Sequence, residues 1–101
     1  MTKPPSPAPP ACATIDPATR ATPDSADGRV LLQVETGRIC ALNAVASRIW
    51  TEIDAGRSFE EIVERLAAEY EAPRDRIAAD VRAFLLQLVR QRYVRMNGGG
   101  L

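Results

Sequence analysis

Between Gly28 and Trp50 the chain reads GRVLLQVETGRICALNAVASRIW, and this stretch limits the possible folds more than any other. Val30, Leu32 and Val34 alternate with Leu31, Gln33 and Glu35. That is the period-two pattern of a strand, rich in β-branched residues. Glu35-Thr36-Gly37-Arg38 supplies a tight turn, in which Gly37 takes positive φ without steric cost. Ile39 to Leu42 is the return strand, and Asn43 stands where its side-chain oxygen caps a following helix. A lone hairpin is marginal in water. The remaining residues must therefore cover it.

Three helical segments follow. The first spans about Ala44 to Asp54, with Val45, Ile49, Trp50 and Ile53 on one stripe. Gly56 closes it. The second opens at Ser58 with Glu61 three residues on, a capping box that satisfies two backbone donors reciprocally. Its stripe is Phe59, Ile62, Val63, Leu66 and Tyr70; Glu60, Glu61, Glu64, Arg65 and Glu69 form a solvated face. Ala72-Pro73 breaks it. The third runs from about Arg74 to Arg92. Ile77, Val81, Phe84, Leu85 and Leu88 make one stripe, and Leu86, Val89 and Tyr93 continue to a second flank. Such a width suits either a helix wrapped by core or one lining a groove for a partner.

Upstream, Pro4, Pro5, Pro7, Pro9 and Pro10 preclude a helix and leave little to bury. Residues 1–14 are expected to form a disordered tail, 15–96 the domain and 97–101 a flexible end. Ala18 to Thr22 reads as a short edge strand closed by Pro23, and Tyr93 to Met96 as an extended segment. The expected fold is α+β and winged-helix-like: an N-terminal antiparallel sheet of up to three strands, then three helices.

Several function classes are disfavoured. Basic and acidic residues balance at 13 each, which gives no net field toward nucleic acid or membrane. There is no His, so the commonest general base and metal ligand is missing. Cys12 and Cys40 are too isolated for a metal motif or a disulfide framework, and two reduced thiols fit a cytoplasmic protein. The carboxylate pairs lie on an exposed helical face, without the burial that splits the pKa values of a catalytic pair. Neither catalysis nor a metal or cofactor is expected. A winged helix that binds DNA is the competing reading, but Asp75 and Asp80 interleave Arg74, Arg76 and Arg82 on the third helix.

The chain resembles the PqqD-like proteins, the recognition elements of pathways that modify ribosomally made peptides. The resemblance rests on Val30-Leu31-Leu32 with Glu35-Thr36-Gly37-Arg38, Leu42-Asn43 leading to Ile49-Trp50, and Asp54-Ala55-Gly56-Arg57-Ser58 followed by Glu61-Ile62-Val63. Leu66-Ala67 with Tyr70, and Asp80-Val81 with Phe84-Leu85 and Leu88, continue it, so that it spans about residues 18–96. Within the family the chain is most similar to the stand-alone proteins of lasso-peptide clusters. The resemblance implies a non-catalytic adaptor that binds the leader segment of a precursor peptide and presents it to a leader peptidase and a macrolactam cyclase. A chaperone role toward a radical SAM enzyme is the family's other implication. The leader would add as a strand to Arg38, Ile39, Cys40, Ala41 and Leu42, with its side chains against Val81, Arg82, Leu85 and Leu88 of the third helix. Relatives often carry aromatics in the edge strand, where Ile39 and Cys40 stand here.

Overall fold

The computed structural model describes residues 12–97. Its elements are β1 (Cys12–Ile15), β2 (Thr19–Ala21), β3 (Arg29–Gln33), β4 (Arg38–Leu42), α1 (Ala44–Asp54), α2 (Phe59–Tyr70), α3 (Arg74–Arg90) and β5 (Val94–Asn97). The expected α+β architecture holds, with three helices after an antiparallel sheet ordered β2-β3-β4. A second ribbon joins β1 to β5, from Cys12↔Asn97 to Ile15↔Val94. Two expectations are corrected by it. Residues 12–14 belong to a strand and not to the tail, and Asn97, expected in the flexible end, closes β5; Val94 to Met96 is extended as read and is paired as well. The expected tail residues up to 11 and those from 98 onward lie outside the described residues.

The hairpin forms as its pattern dictates. Leu31 pairs with Cys40 and Leu32 with Ile39. The Gly37 N–H donates to the Gln33 carbonyl at 2.8 Å, with Gly37 at φ 74°. Leu31 and Gln33 are fully buried, so the face they share with Cys40 and Leu42 looks onto the helices. Gly28 introduces β3 at φ 110°, and a Cβ there would lie 1.8 Å from the Leu42 carbonyl oxygen. Only glycine lets the two strands close at this point.

Asn43 caps α1, its side-chain oxygen accepting the Ala46 N–H at 2.8 Å. Ser58 and Glu61 form the capping box of α2. Arg29 straps the hairpin to α1, donating from Nε to Ser47 Oγ and from Nη2 to Thr51 Oγ1, each at 2.6 Å. Trp50, Ile53, Ile62, Val63, Leu66, Val81, Leu85 and Leu88 fill one core with Leu31 and Leu42. Val45 and Tyr70, expected on the buried stripes, are largely exposed. α1 docks its apolar face by Ile49, Trp50 and Ile53, with Ala46 beside them, and α2 ends its burial at Leu66.

Candidate functional site

Alternation along the sheet decides which main-chain groups of β4 are free. Thr22 N–H donates to the Val30 carbonyl at 3.0 Å, and Val34 N–H to the Ala18 carbonyl at 2.9 Å. Val30, Leu32 and Val34 therefore turn their main-chain groups toward β2. Arg29, Leu31 and Gln33 turn theirs toward β4. Through the register these meet Leu42, Cys40 and Arg38. What remains is the N–H and C=O of Ile39 and Ala41, which point away from β3. β4 pairs with β3 alone, so among the described residues no strand meets those groups, and the Ala41 carbonyl has only a long contact from the Cys40 thiol at 4.0 Å. An open edge of this kind accepts a further strand.

The expected site residues divide. On β4, Arg38, Ile39 and Ala41 are exposed, Cys40 is half-buried and Leu42 is buried in the core. Ile39 is 68% exposed and stands on the outer face of the sheet beside Val30 and Val34, also exposed. Burial pushes the Cys40 thiol above its ordinary range. On α3 the expected groove residues Val81, Leu85 and Leu88 are no more than 1% exposed and belong to the core. The broad stripe of α3 is thus mostly core, packed against α2 and the sheet. Truncating one of these leucines would cost roughly 2–5 kcal/mol and report on folding. Arg82 is held over the Phe59 ring, 5.3 Å from its centroid, and so is engaged with α2. The apolar surface that α3 does offer lies on two flanks of that stripe: half-buried Phe84 on one, half-buried Val89 and exposed Leu86 on the other.

Two residues not singled out in the sequence matter here. Gln33, fully buried, donates from its side-chain amide to the Arg92 carbonyl at 2.7 Å and accepts the Glu35 N–H at 2.9 Å. It pins the end of α3 beneath the hairpin. The next residue, Tyr93, has its carbonyl accepting from Asp16 N–H and Thr19 Oγ1, and its ring has no exposed surface. The Tyr93 hydroxyl is buried without a hydrogen-bond partner. Burial raises its pKa, Cys40 raises it further, and Arg38 acts in the opposite sense. The Arg38 side chain makes no ion pair among the described residues.

Elsewhere arginines are committed. Glu52, 3% exposed, collects Arg65 at 2.6 Å and Arg57 at 3.1 Å, and also pairs with Arg48. Arg48 also meets Glu69 at 3.0 Å. Arg74 is clamped between Glu60 and Glu64, each at 2.7 Å. The α2 face expected to be plainly solvated is laced with these pairs. Four positive charges are thereby partly neutralised, which disfavours a nucleic-acid surface. Among the described residues no cluster of His, Cys, Asp or Glu could hold a metal ion, and no helix is long and apolar enough to cross a membrane.

A family model described as coenzyme PQQ synthesis protein D (PqqD) matches residues 28–94. A solved structure described as TbiB1 in complex with the TbiA(beta) leader peptide is similar, at 36% identity and a TM-score of 0.75. That match covers 80% of this chain and 93% of the other. A lasso peptide synthetase B1 complexed with its leader peptide has the same fold at 24% identity and a TM-score of 0.74, over 82% of this chain and 96% of the other. No curated protein matches the chain.

Proposed function

The chain belongs to the PqqD family, and from that premise we propose that it is a non-catalytic adaptor for the leader segment of a ribosomally made precursor peptide. The observation that carries this reading is the open edge of β4, with the main-chain groups of Ile39 and Ala41 free to pair. A leader in extended form adds there as a fourth strand. Main-chain hydrogen bonds give affinity without regard to sequence, and alternate side chains give selectivity. Those pointing inward meet Arg38, Cys40 and one flank of α3. The related TbiB1 is described in complex with a leader peptide, which supports the same ligand class here. The partners that receive the bound precursor are a leader peptidase and a macrolactam cyclase.

Fluorescence anisotropy with a labelled leader peptide, taken from the precursor gene beside this one, tests the reading. Saturable binding at roughly micromolar Kd or tighter is expected. A flat titration with every precursor leader of the gene cluster would falsify it.

A further inference from the structure

Among the described residues two buried side-chain polar atoms have no hydrogen-bond partner: Arg57 Nε, which still lies 3.1 Å from the Glu52 carboxylate, and the Tyr93 hydroxyl, which has no compensating charge. Tyr93 has no exposed surface and its hydroxyl meets no donor or acceptor. Burying a hydroxyl in that state is unfavourable, and such orphans in folded proteins call for a cause. Its position is fixed from both sides. Gln33 holds the Arg92 carbonyl from above, and the Tyr93 N–H donates to the Leu88 carbonyl at 2.9 Å. Gln33 pairs directly with Arg38 across the hairpin. Residues paired across two strands share a face, so Arg38 and Cys40 lie on the side of the sheet that looks toward Tyr93. The guanidinium of Arg38 is exposed and, among the described residues, without an acid.

We propose that Tyr93 and Arg38 together receive a carboxylate side chain of the bound leader, an Asp or Glu that enters from the edge of β4. The proposal rests on the leader-binding reading and deepens it by naming the chemistry that is selected. Arg38 donates from its guanidinium and Tyr93 from its hydroxyl; two donors converging on one acceptor suit an anion and repel a cation. Register restricts where the acid stands. A strand added at Ile39 and Ala41 exchanges main-chain hydrogen bonds at those two residues. Its residues opposite Arg38 and Cys40 are the non-hydrogen-bonded ones, whose side chains point inward and approach most closely. The acid occupies one of those two places. The hydroxyl is shut off from solvent in the free chain, so the rim side chains shift as the carboxylate enters.

The experiment combines two protein variants with leader variants. Each Asp and Glu of the labelled leader is changed in turn to Asn or Gln, and each peptide is titrated against wild type, Tyr93→Phe and Arg38→Gln. For wild type, neutralising one acid should weaken binding roughly tenfold. Against Tyr93→Phe the same peptide change should have little further effect, because the contact is already gone. Thermal unfolding without peptide supplies a second reading. Removing an unpaired hydroxyl should leave the stability of Tyr93→Phe equal to or above that of wild type. Affinity for every leader unaltered by Tyr93→Phe would overturn the proposal. So would a Tyr93→Phe protein that is less stable than wild type, since the hydroxyl would then be satisfied internally. A wild type that binds no leader would instead strike at the leader-binding reading on which this one stands.

Discussion

Glu52 and Tyr93 are both buried, both polar, and treated in opposite ways. Glu52 sits on α1 with three arginines around its carboxylate. Tyr93 sits at the end of α3 under β4 with nothing on its hydroxyl. The first arrangement is compensated by charge: Arg48 and Arg65 donate hydrogen bonds to Glu52, Arg48 is itself shared with Glu69, and Arg57 Nε, without a hydrogen bond of its own, ion-pairs with Glu52 at 3.1 Å. The second is open, and so is the strand above it, whose Ile39 and Ala41 lack main-chain partners. Polar groups that serve the fold are satisfied within the chain. The Tyr93 hydroxyl has neither a hydrogen bond nor a compensating charge, and an orphan of that kind calls for a cause.

If the contrast is sound, substitutions on the two sides separate stability from binding. The largest effect on the fold is expected at Cys40, although it lies in the edge strand. Its N–H points to β3, so Cys40→Pro deletes a rung of the hairpin and strains the chain, costing roughly 3 kcal/mol or more. Urea unfolding should show a large drop in midpoint, and any loss of peptide binding would follow from unfolding. Glu52→Gln comes next. It leaves Arg48, Arg57 and Arg65 around a neutral amide. Breaking a buried pair costs about 3–5 kcal/mol, but these arginines are partly exposed, so about 2–3 kcal/mol is expected. Leader affinity of the folded fraction should not change. A Glu52→Gln protein of full stability that bound leader poorly would reverse the assignment of the two sides.

How much of this was legible depends on how local each signal is. Asn43, Ser58 and Glu61 announce helix starts within four residues, and both caps form as read. The hairpin is equally local, since its turn sets the register of Leu31 against Cys40. The ribbon of β1 and β5 is not. Cys12 meets Asn97 across almost the whole chain, and neither four-residue segment alternates strongly enough to be recognised without the other. The site was half legible. A free edge at Arg38 to Leu42 was expected because no later segment was read as its partner, and the later strand that does form, β5, pairs with β1 instead. The depth of Val81, Leu85 and Leu88 does not, because a stripe on α3 looks alike whether it faces α2 or a ligand. Glu52 had one signal, its spacing of four from Arg48; its remaining partners come from α2 and the loop before it.

Ala41→Pro separates the two properties most directly. The Ala41 N–H faces outward, and proline is tolerated on an edge strand at such a position. The stability cost should stay within about 1 kcal/mol. An incoming strand, however, loses a hydrogen bond and meets the ring, so leader affinity should fall about tenfold or more. Equal affinity for Ala41→Pro and wild type would place the peptide away from β4.

The smallest effect is expected from pH, and it too should divide by region. Burial opposes ionisation of Glu52, but the hydrogen bonds and charges of Arg48 and Arg65 outweigh it and hold the carboxyl below its ordinary value. Asp16 is lowered as well, first by the Ala18 N–H and then, against some desolvation, by Arg95. A carboxyl with a depressed folded pKa stabilises the fold above its unfolded pKa, roughly 4, and loses that contribution as pH falls through the folded value. Urea midpoints should therefore be level from about pH 7 to 5 and decline below it. In Glu52→Gln the decline should be shallower. Beside β4 only Asp16, whose N–H donates to the Tyr93 carbonyl, contributes in this window; the Tyr93 and Cys40 side chains add nothing. Burial raises both Tyr93 and Cys40, so both stay protonated from acid through neutral pH. Tyr93→Phe should therefore reproduce the wild-type acid limb, offset only by its change in stability. A limb that flattened in Tyr93→Phe and persisted in Glu52→Gln would show that the pH-dependent contact lies under the edge strand.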